Sequence, residues 1–320
     1  MPVSARAGRG LGRGTRALAV CLLVPFGSAC AARRVAATVP DPPAAPPAAV
    51  HTPATSEQAP GESAEAYVAR MRALSAAARP PTQNAADSIE TQDPALAAAL
   101  AVLARTPGAA AHRLVAEQYR RLRVLDLAHS HLTTALRLDP ADGAAYDGRA
   151  RVWRDFGFPG LGLGDAYRAW HLMPRSPAAA NTLGTIFEAL GRLSEAREWY
   201  GRALGLEPDS AFALNNLCHV ETRLGGVGAV DTCRRALERS PDSRVVHNNL
   251  GLAYAAGGDF ELAHAQFSAL ADASVAAYNM GIVYMAARRF DRARDAFLEA
   301  WRFNPRFSQA ARRLRQASAH

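Results

Sequence analysis

The side chains most able to do chemistry in this 320-residue chain are its cysteines and histidines. Cys218 and Cys233 sit in two successive apolar-periodic segments, so a disulfide, two thiols or a shared metal are open to them. If the segments are helices folded symmetrically about the turn between them, Cys218 faces Ala229 and Cys233 faces Leu214. The sulfurs are then offset by one helical turn, about 5.4 Å of rise. With the helix separation added, the Cα atoms exceed the ~7 Å limit for a bridge. Two small buried thiols are the expected outcome. His219 and His247 do not complete a metal site, because His219 points away from the face that carries Cys218. His129 and His131 are two positions apart and lie on different helix faces. Gly160–Gly164, "GLGLG", has no preceding strand and no following Lys-Ser/Thr, so it is not a phosphate loop. Gly-x-Ser-x-Gly, His-Glu-x-x-His and Cys-x-x-Cys-His patterns do not occur. No catalytic residue, metal or cofactor is expected.

The remaining cysteines, Cys21 and Cys30, belong to an N-terminus with its own logic. Arg6, Arg9, Arg13 and Arg16 precede the ten-residue apolar run from Ala17 to Phe26. Such a run is too short to span a bilayer, which takes about 20 residues, but it suits a secretory signal over residues 1–29. Gly27-Ser28-Ala29-Cys30 resembles a bacterial lipobox, with Gly27 where leucine is usual, and predicts a lipid on Cys30. Cleavage after Ala29-Cys30-Ala31 is the competing reading and gives a soluble periplasmic product. Removal of the four arginines lowers the formal charge from +8 to +4, so a nucleic-acid partner is not expected. Residues 30–62, rich in Pro and Ala, predict a disordered tether. The expected location is the cell envelope, as an outer-membrane lipoprotein facing the periplasm.

These residues are placed by a repeat. Ala116, Ala150, Gly184, Cys218, Gly251 and Gly281 recur at spacings of 34, 34, 34, 33 and 30. Three positions later stand Tyr119, Trp153, Phe187, Glu221, Tyr254 and Tyr284. Further small residues follow in a second segment (Ala128, Gly162, Ala196, Ala229, Ala263, Ala293), and prolines at 140, 174, 208, 241 and 305 close five of six units. Each unit reads as two antiparallel helices that approach closely where side chains are small. Symmetry about the turn sets Gly184 opposite Ala196, and alanine should be tolerated at 184 because it holds the same place in the first two repeats.

The pattern resembles the tetratricopeptide repeat, with Leu183, Gly184, Phe187, Gly191, Ala196, Tyr200, Ala203 and Pro208 near its consensus. The resemblance implies an all-α, right-handed superhelical solenoid of about six hairpins over residues 109–305. N-terminal helices over 63–108 and a capping helix over 306–320 would flank it. It also implies that positions five and six of each first helix face a concave groove. Residues assigned to that groove are Arg113, Arg120, Arg151, Arg154, Asn181, Asn215, Asn216, Asn248, Asn249 and Asn279. Its first half is rich in arginine, suited to acidic residues, and its second half is lined by amides. Asn216, Asn249 and Asn279 share position six, and stacking should align them as a ladder, either for an extended backbone or, as the alternative, for hydrogen bonds to a neighbouring helix. The implied function is a non-enzymatic scaffold that binds a protein or peptide and assists assembly of an envelope complex such as a pilus or secretion system. A non-obvious enzyme or enzyme subunit and a cytosolic adaptor are the alternatives.

Overall fold

A computed structural model describes residues 89–226 and 228–319, together with Ala66, Ala69, Arg70 and Ala73. The expected signal, Cys30 and the tether lie outside the described residues, as does most of 63–88, the first part of the region expected to hold N-terminal helices. The chain divides between Pro208 and Asp209 into two compact units. In the N-terminal unit, α1 (Ile89–Gln92) and α2 (Pro94–Arg105) precede three hairpins. These are α3 (Ala109–Arg121) with α4 (Leu125–Leu138), α5 (Gly143–Asp155) with α6 (Pro159–Leu172), and α7 (Pro177–Ala189) with α8 (Leu193–Leu206). The C-terminal unit holds α9 (Ala211–Leu224) with α10 (Ala229–Arg239), then α11 (Arg244–Ala256) with α12 (Phe260–Leu270). Its last hairpin is α13 (Ala273–Ala286) with α14 (Phe290–Phe303), covered by α15 (Ser308–Ala317). No strand occurs among the described residues. The fold is an all-α helical repeat.

Local sequence explains each start and stop. Asp93, Asp142, Ser176, Ser243, Asp259 and Asp272 cap first-turn backbone N–H groups with their side chains. Every hairpin turn places one residue in the left-handed region: Arg123, Gly157, Gly191, Gly225, Gly258 and Arg288. The next N–H then reaches back to a carbonyl of the last helical turn, as Arg192 N–H does to Phe187 O at 2.9 Å. Glycine is the low-cost occupant of that conformation, and four of the six turns use it.

The helices of a hairpin meet differently from the symmetric expectation. A Cβ on Gly184 would lie 2.5 Å from Tyr200 Cδ1, not against Ala196. Gly251 is covered by Phe267 and Gly281 by Phe297 in the same way. Tyr200, Phe267 and Phe297 are at most 2% exposed. Each pair spans sixteen residues, so the reversal is centred one residue beyond the left-handed position. A shift of two residues in that centre moves the partner by four, one full helical turn.

The same shift overturns the thiol expectation. Cys218 and Cys233 occupy the corresponding pair of α9 and α10, their Cα atoms are 4.9 Å apart, and they form a disulfide. Alanine at position 184 is likewise no longer neutral. In the first two repeats the residue sixteen positions on is Leu132 or Ala166, whereas at 184 it is a buried ring whose hydroxyl donates to Glu188 Oε2 at 2.7 Å.

Within the first hairpin, His112 Nδ1 and His131 Nδ1 are 2.9 Å apart, so one donates and the other accepts. His129 turns the other way and meets Trp153 edge-on. Burial, with His112 adding, pushes the His131 pKa down to about 4; burial and nearby Arg137 also lower that of His112. These are folded values below the unfolded one. The stability they carry is present above about pH 6.5 and is lost as pH falls toward 4.

Two tests follow from this packing. Gly184→Ala should cost about 1–3 kcal/mol by overpacking. Gly201→Ala, helical and with open space above it, should gain about 1 kcal/mol; urea unfolding reads both signs. Melting midpoints should fall between pH 6.5 and 5, above the range in which ordinary carboxylates titrate, and His131→Gln should flatten that fall.

Candidate functional site

The first helices of the N-terminal unit bound a groove of ≈ 830 Å³. Arg113, Leu114, Glu117 and Arg120 of α3 and Asp147 and Arg151 of α5 contribute its polar and apolar lining. Residues three or four apart share a helix face, which is why Arg113, Glu117 and Arg120 project together from α3. All four arginines assigned to this groove from sequence hold carboxylates of the same unit. Arg113 Nε lies 2.7 Å from Asp142 Oδ2. Arg120 bonds Glu117 at 2.7 Å and Asp155 at 2.8 Å. Arg151 lies 3.0 Å from Asp147 and 3.4 Å from Glu117. Arg154 bonds Asp155 at 2.7 Å and donates to Thr185 Oγ1 of α7 at 2.8 Å. The network thus joins α3, α5 and α7.

Burial and pairing compete at each acid. Burial pushes Glu117 up, but Arg120 hydrogen bonds and the Arg151 charge outweigh it and leave the carboxyl below its ordinary value. Asp155 behaves likewise: burial raises it, and Arg154 and Arg120 bring it below normal. At Asp147 burial wins and the carboxyl is raised despite Arg151. Asp147 is 7% exposed, Thr182 helps hold its charge, and Oδ1 has no donor in hydrogen-bonding geometry. The groove itself is lined by Arg113, Arg120 and Arg151 together with Glu117 and Asp147, while Arg154 is not part of the lining. An acidic ligand would have to displace intramolecular partners. Asn181, on α7, is half-buried.

In the C-terminal unit the amides of α9, α11 and α13 bond one another. Asn249 Nδ2 donates to Asn215 Oδ1 at 2.9 Å, and Asn279 Nδ2 donates to Asn248 Oδ1 at 2.9 Å. The ladder is therefore diagonal, position six of one repeat meeting position five of the repeat before. It is not a straight row of Asn216, Asn249 and Asn279. Asn249 is 2% exposed, while Asn215, Asn216, Asn248 and Asn279 are half-buried. Asn249 Oδ1 and Asn248 Nδ2 remain buried without a partner, one acceptor and one donor. The sequence named these residues and allowed hydrogen bonds to a neighbouring helix as the alternative to ligand contact; the diagonal register of those bonds was not foreseen. Its signal was the run of adjacent asparagines at 215–216 and 248–249, which gives each helix one amide for each neighbour.

No group of three or more His, Cys, Asp or Glu side chains that could hold a metal is found among the described residues. The groove of the N-terminal unit presents paired charges and apolar side chains, and the C-terminal unit presents an amide-bonded face.

Known proteins agree with this architecture. The family model described as the tetratricopeptide repeat matches residues 177–210, the third hairpin. Human "Tetratricopeptide repeat protein 6" is 25% identical over 215 residues, covering 64% of this chain and 41% of that protein. The chain thus spans about two fifths of that relative's length. Among solved structures, a chain of the APC/C hetero-tetramer Cut9–Hcn1 superposes with a TM-score of 0.58 at 19% identity, covering 69% of this chain and 45% of that one. PilW, a widely conserved type IV pilus biogenesis factor, gives a TM-score of 0.56 at 18% identity, covering 65% and 97%. At such identities the likeness is one of fold. The family match places a tetratricopeptide repeat at the third hairpin, and the left-handed turns and small-residue contacts recur in its neighbours.

Proposed function

We propose that this chain is a non-enzymatic scaffold of a bacterial cell envelope that holds a protein or peptide partner in its grooves. In this reading a lipid on Cys30 anchors it to the outer membrane, and it assists assembly of an envelope complex such as a pilus or secretion system. The observation that carries the binding function is the ≈ 830 Å³ groove between first helices, a volume within the range of ligand sites. Export is supported by the basic and apolar N-terminus and by the Cys218–Cys233 bond, since disulfides persist in oxidising compartments. PilW has the same fold and is a pilus biogenesis factor, which motivates the choice of process. The arginines of the groove serve its internal network, which argues against a nucleic-acid partner.

The test is capture in intact cells. A photo-crosslinking residue at Leu114, exposed in the groove, should join the chain to a component of an envelope complex. The same residue at Arg202, exposed on the outer helix α8, should not. Equal yields at both positions, or capture of cytosolic proteins alone, would contradict the reading. Cys30→Ala should move the protein from the membrane fraction to the soluble fraction. Retention of that variant on membranes after a high-salt wash would exclude the lipid anchor.

A further inference from the structure

We propose that the Cys218–Cys233 bond is a covalent substitute for the buried ring that closes neighbouring hairpins, so that the amide-bonded face of the C-terminal unit is complete only in the oxidised chain. In α7–α8, α11–α12 and α13–α14 a ring of the second helix covers a glycine of the first. In α9–α10 those two places are Cys233 and Cys218. The aromatic three positions after the small residue is also missing there: Glu221 stands in its place, and its Oε2 is buried without a partner. Reduced, this hairpin would have two thiols where its neighbours have a phenyl or phenol ring. It would also keep a buried carboxylate oxygen that lowers its stability, and its turn carries Gly225, Gly226 and Gly228. Of the three hairpins in this unit it is the one without a ring clasp.

The chemistry balances as thiol–disulfide exchange. The two thiols lose two protons and two electrons as the sulfur–sulfur bond forms. A disulfide acceptor, either a thiol–disulfide oxidoreductase or glutathione disulfide, is reduced to two thiols. Both cysteines are 0% exposed in the folded chain. The exchange therefore belongs to folding, before the hairpin closes, and the finished bond is shielded from reductants.

The bond also positions the groove. Asn215 lies on α9 within one helical turn of Cys218 and accepts the hydrogen bond from Asn249 of α11. A loosened α9 withdraws that acceptor. The link to partner binding rests on the proposed function, but the clasp does not, and its test needs no partner.

Hydrogen exchange by mass spectrometry on the full chain would compare oxidised protein, protein refolded with dithiothreitol, Cys218→Ala/Cys233→Ala, and Cys218→Gly/Cys233→Phe. On reduction, and in the alanine pair, amides of α9 and α10 should exchange roughly tenfold faster or more, as loss of a closed fifteen-residue loop implies. Those of α3–α8 should not change. The Gly/Phe pair, which restores the ring contact, should be protected whether or not reductant is present. Asn249→Ala should lower the melting midpoint of oxidised protein and leave that of reduced protein unchanged. Equal protection of α9 and α10 in oxidised and reduced wild-type protein would overturn the proposal. A Gly/Phe pair no better protected than the alanine pair would overturn the ring-substitute role.

Discussion

Each hairpin depends on one close approach, between a position on its first helix and a position on its second. Where the first helix has glycine, a ring from the second lies on its backbone, as Tyr200 does on Gly184. A glycine inside a helix costs about 1 kcal/mol relative to alanine, but an aromatic side chain buries roughly 150–250 Å², so the exchange favours folding. The approach brings the backbones together, fixes the angle at which the helices cross, and lets the next hairpin dock. The groove residues are consequences of it, since they project from first helices whose spacing these contacts set. One hairpin meets the same constraint with a disulfide.

The charges of the N-terminal unit follow a second constraint. Glu117 and Asp155 are partly buried, and removing a carboxylate from water is unfavourable unless a cation accompanies it. Arg120 pairs with Asp155 and Arg151 with Glu117 from the neighbouring helix, and Arg154 pairs with Asp155 from the same one. The network therefore joins successive hairpins as much as it decorates a surface. Pairing within the network leaves these charges with limited long-range reach. The C-terminal unit uses uncharged amides for the same joining task, Asn249 to Asn215 and Asn279 to Asn248.

Much of this was legible in the sequence because it is carried by spacing. The recurrence of Gly184, Gly251 and Gly281 gave the repeat, and Gly191 stood in its consensus; the left-handed turns at Gly157, Gly225 and Gly258 came from the structure. The partner of Gly184 was not legible from symmetry, because a left-handed turn displaces the centre of the reversal. That one error also hid the disulfide: Cys218 and Cys233 correspond to the Gly184–Tyr200 pair once the displaced centre is known, in a hairpin one residue shorter, with a separation of fifteen residues between the partners in place of sixteen. The arginine pairs were hidden for another reason. Asp155 is adjacent to Arg154 in sequence, but its second partner, Arg120, comes from a different hairpin. The division between Pro208 and Asp209 falls within the 34-residue step from Gly184 to Cys218, equal to the two steps before it, so the spacing does not mark it.

The close approach itself is most directly tested by a double-mutant cycle at Gly251 and Phe267, a pair free of hydroxyl bonds. Unfolding free energies would be measured for Gly251→Ala, Phe267→Leu and the double variant. If the ring lies on the glycine, the methyl group should be costly beneath phenylalanine and nearly harmless beneath leucine, giving a coupling energy of about 1 kcal/mol or more. Additive effects, with Gly251→Ala equally costly in both backgrounds, would contradict the account.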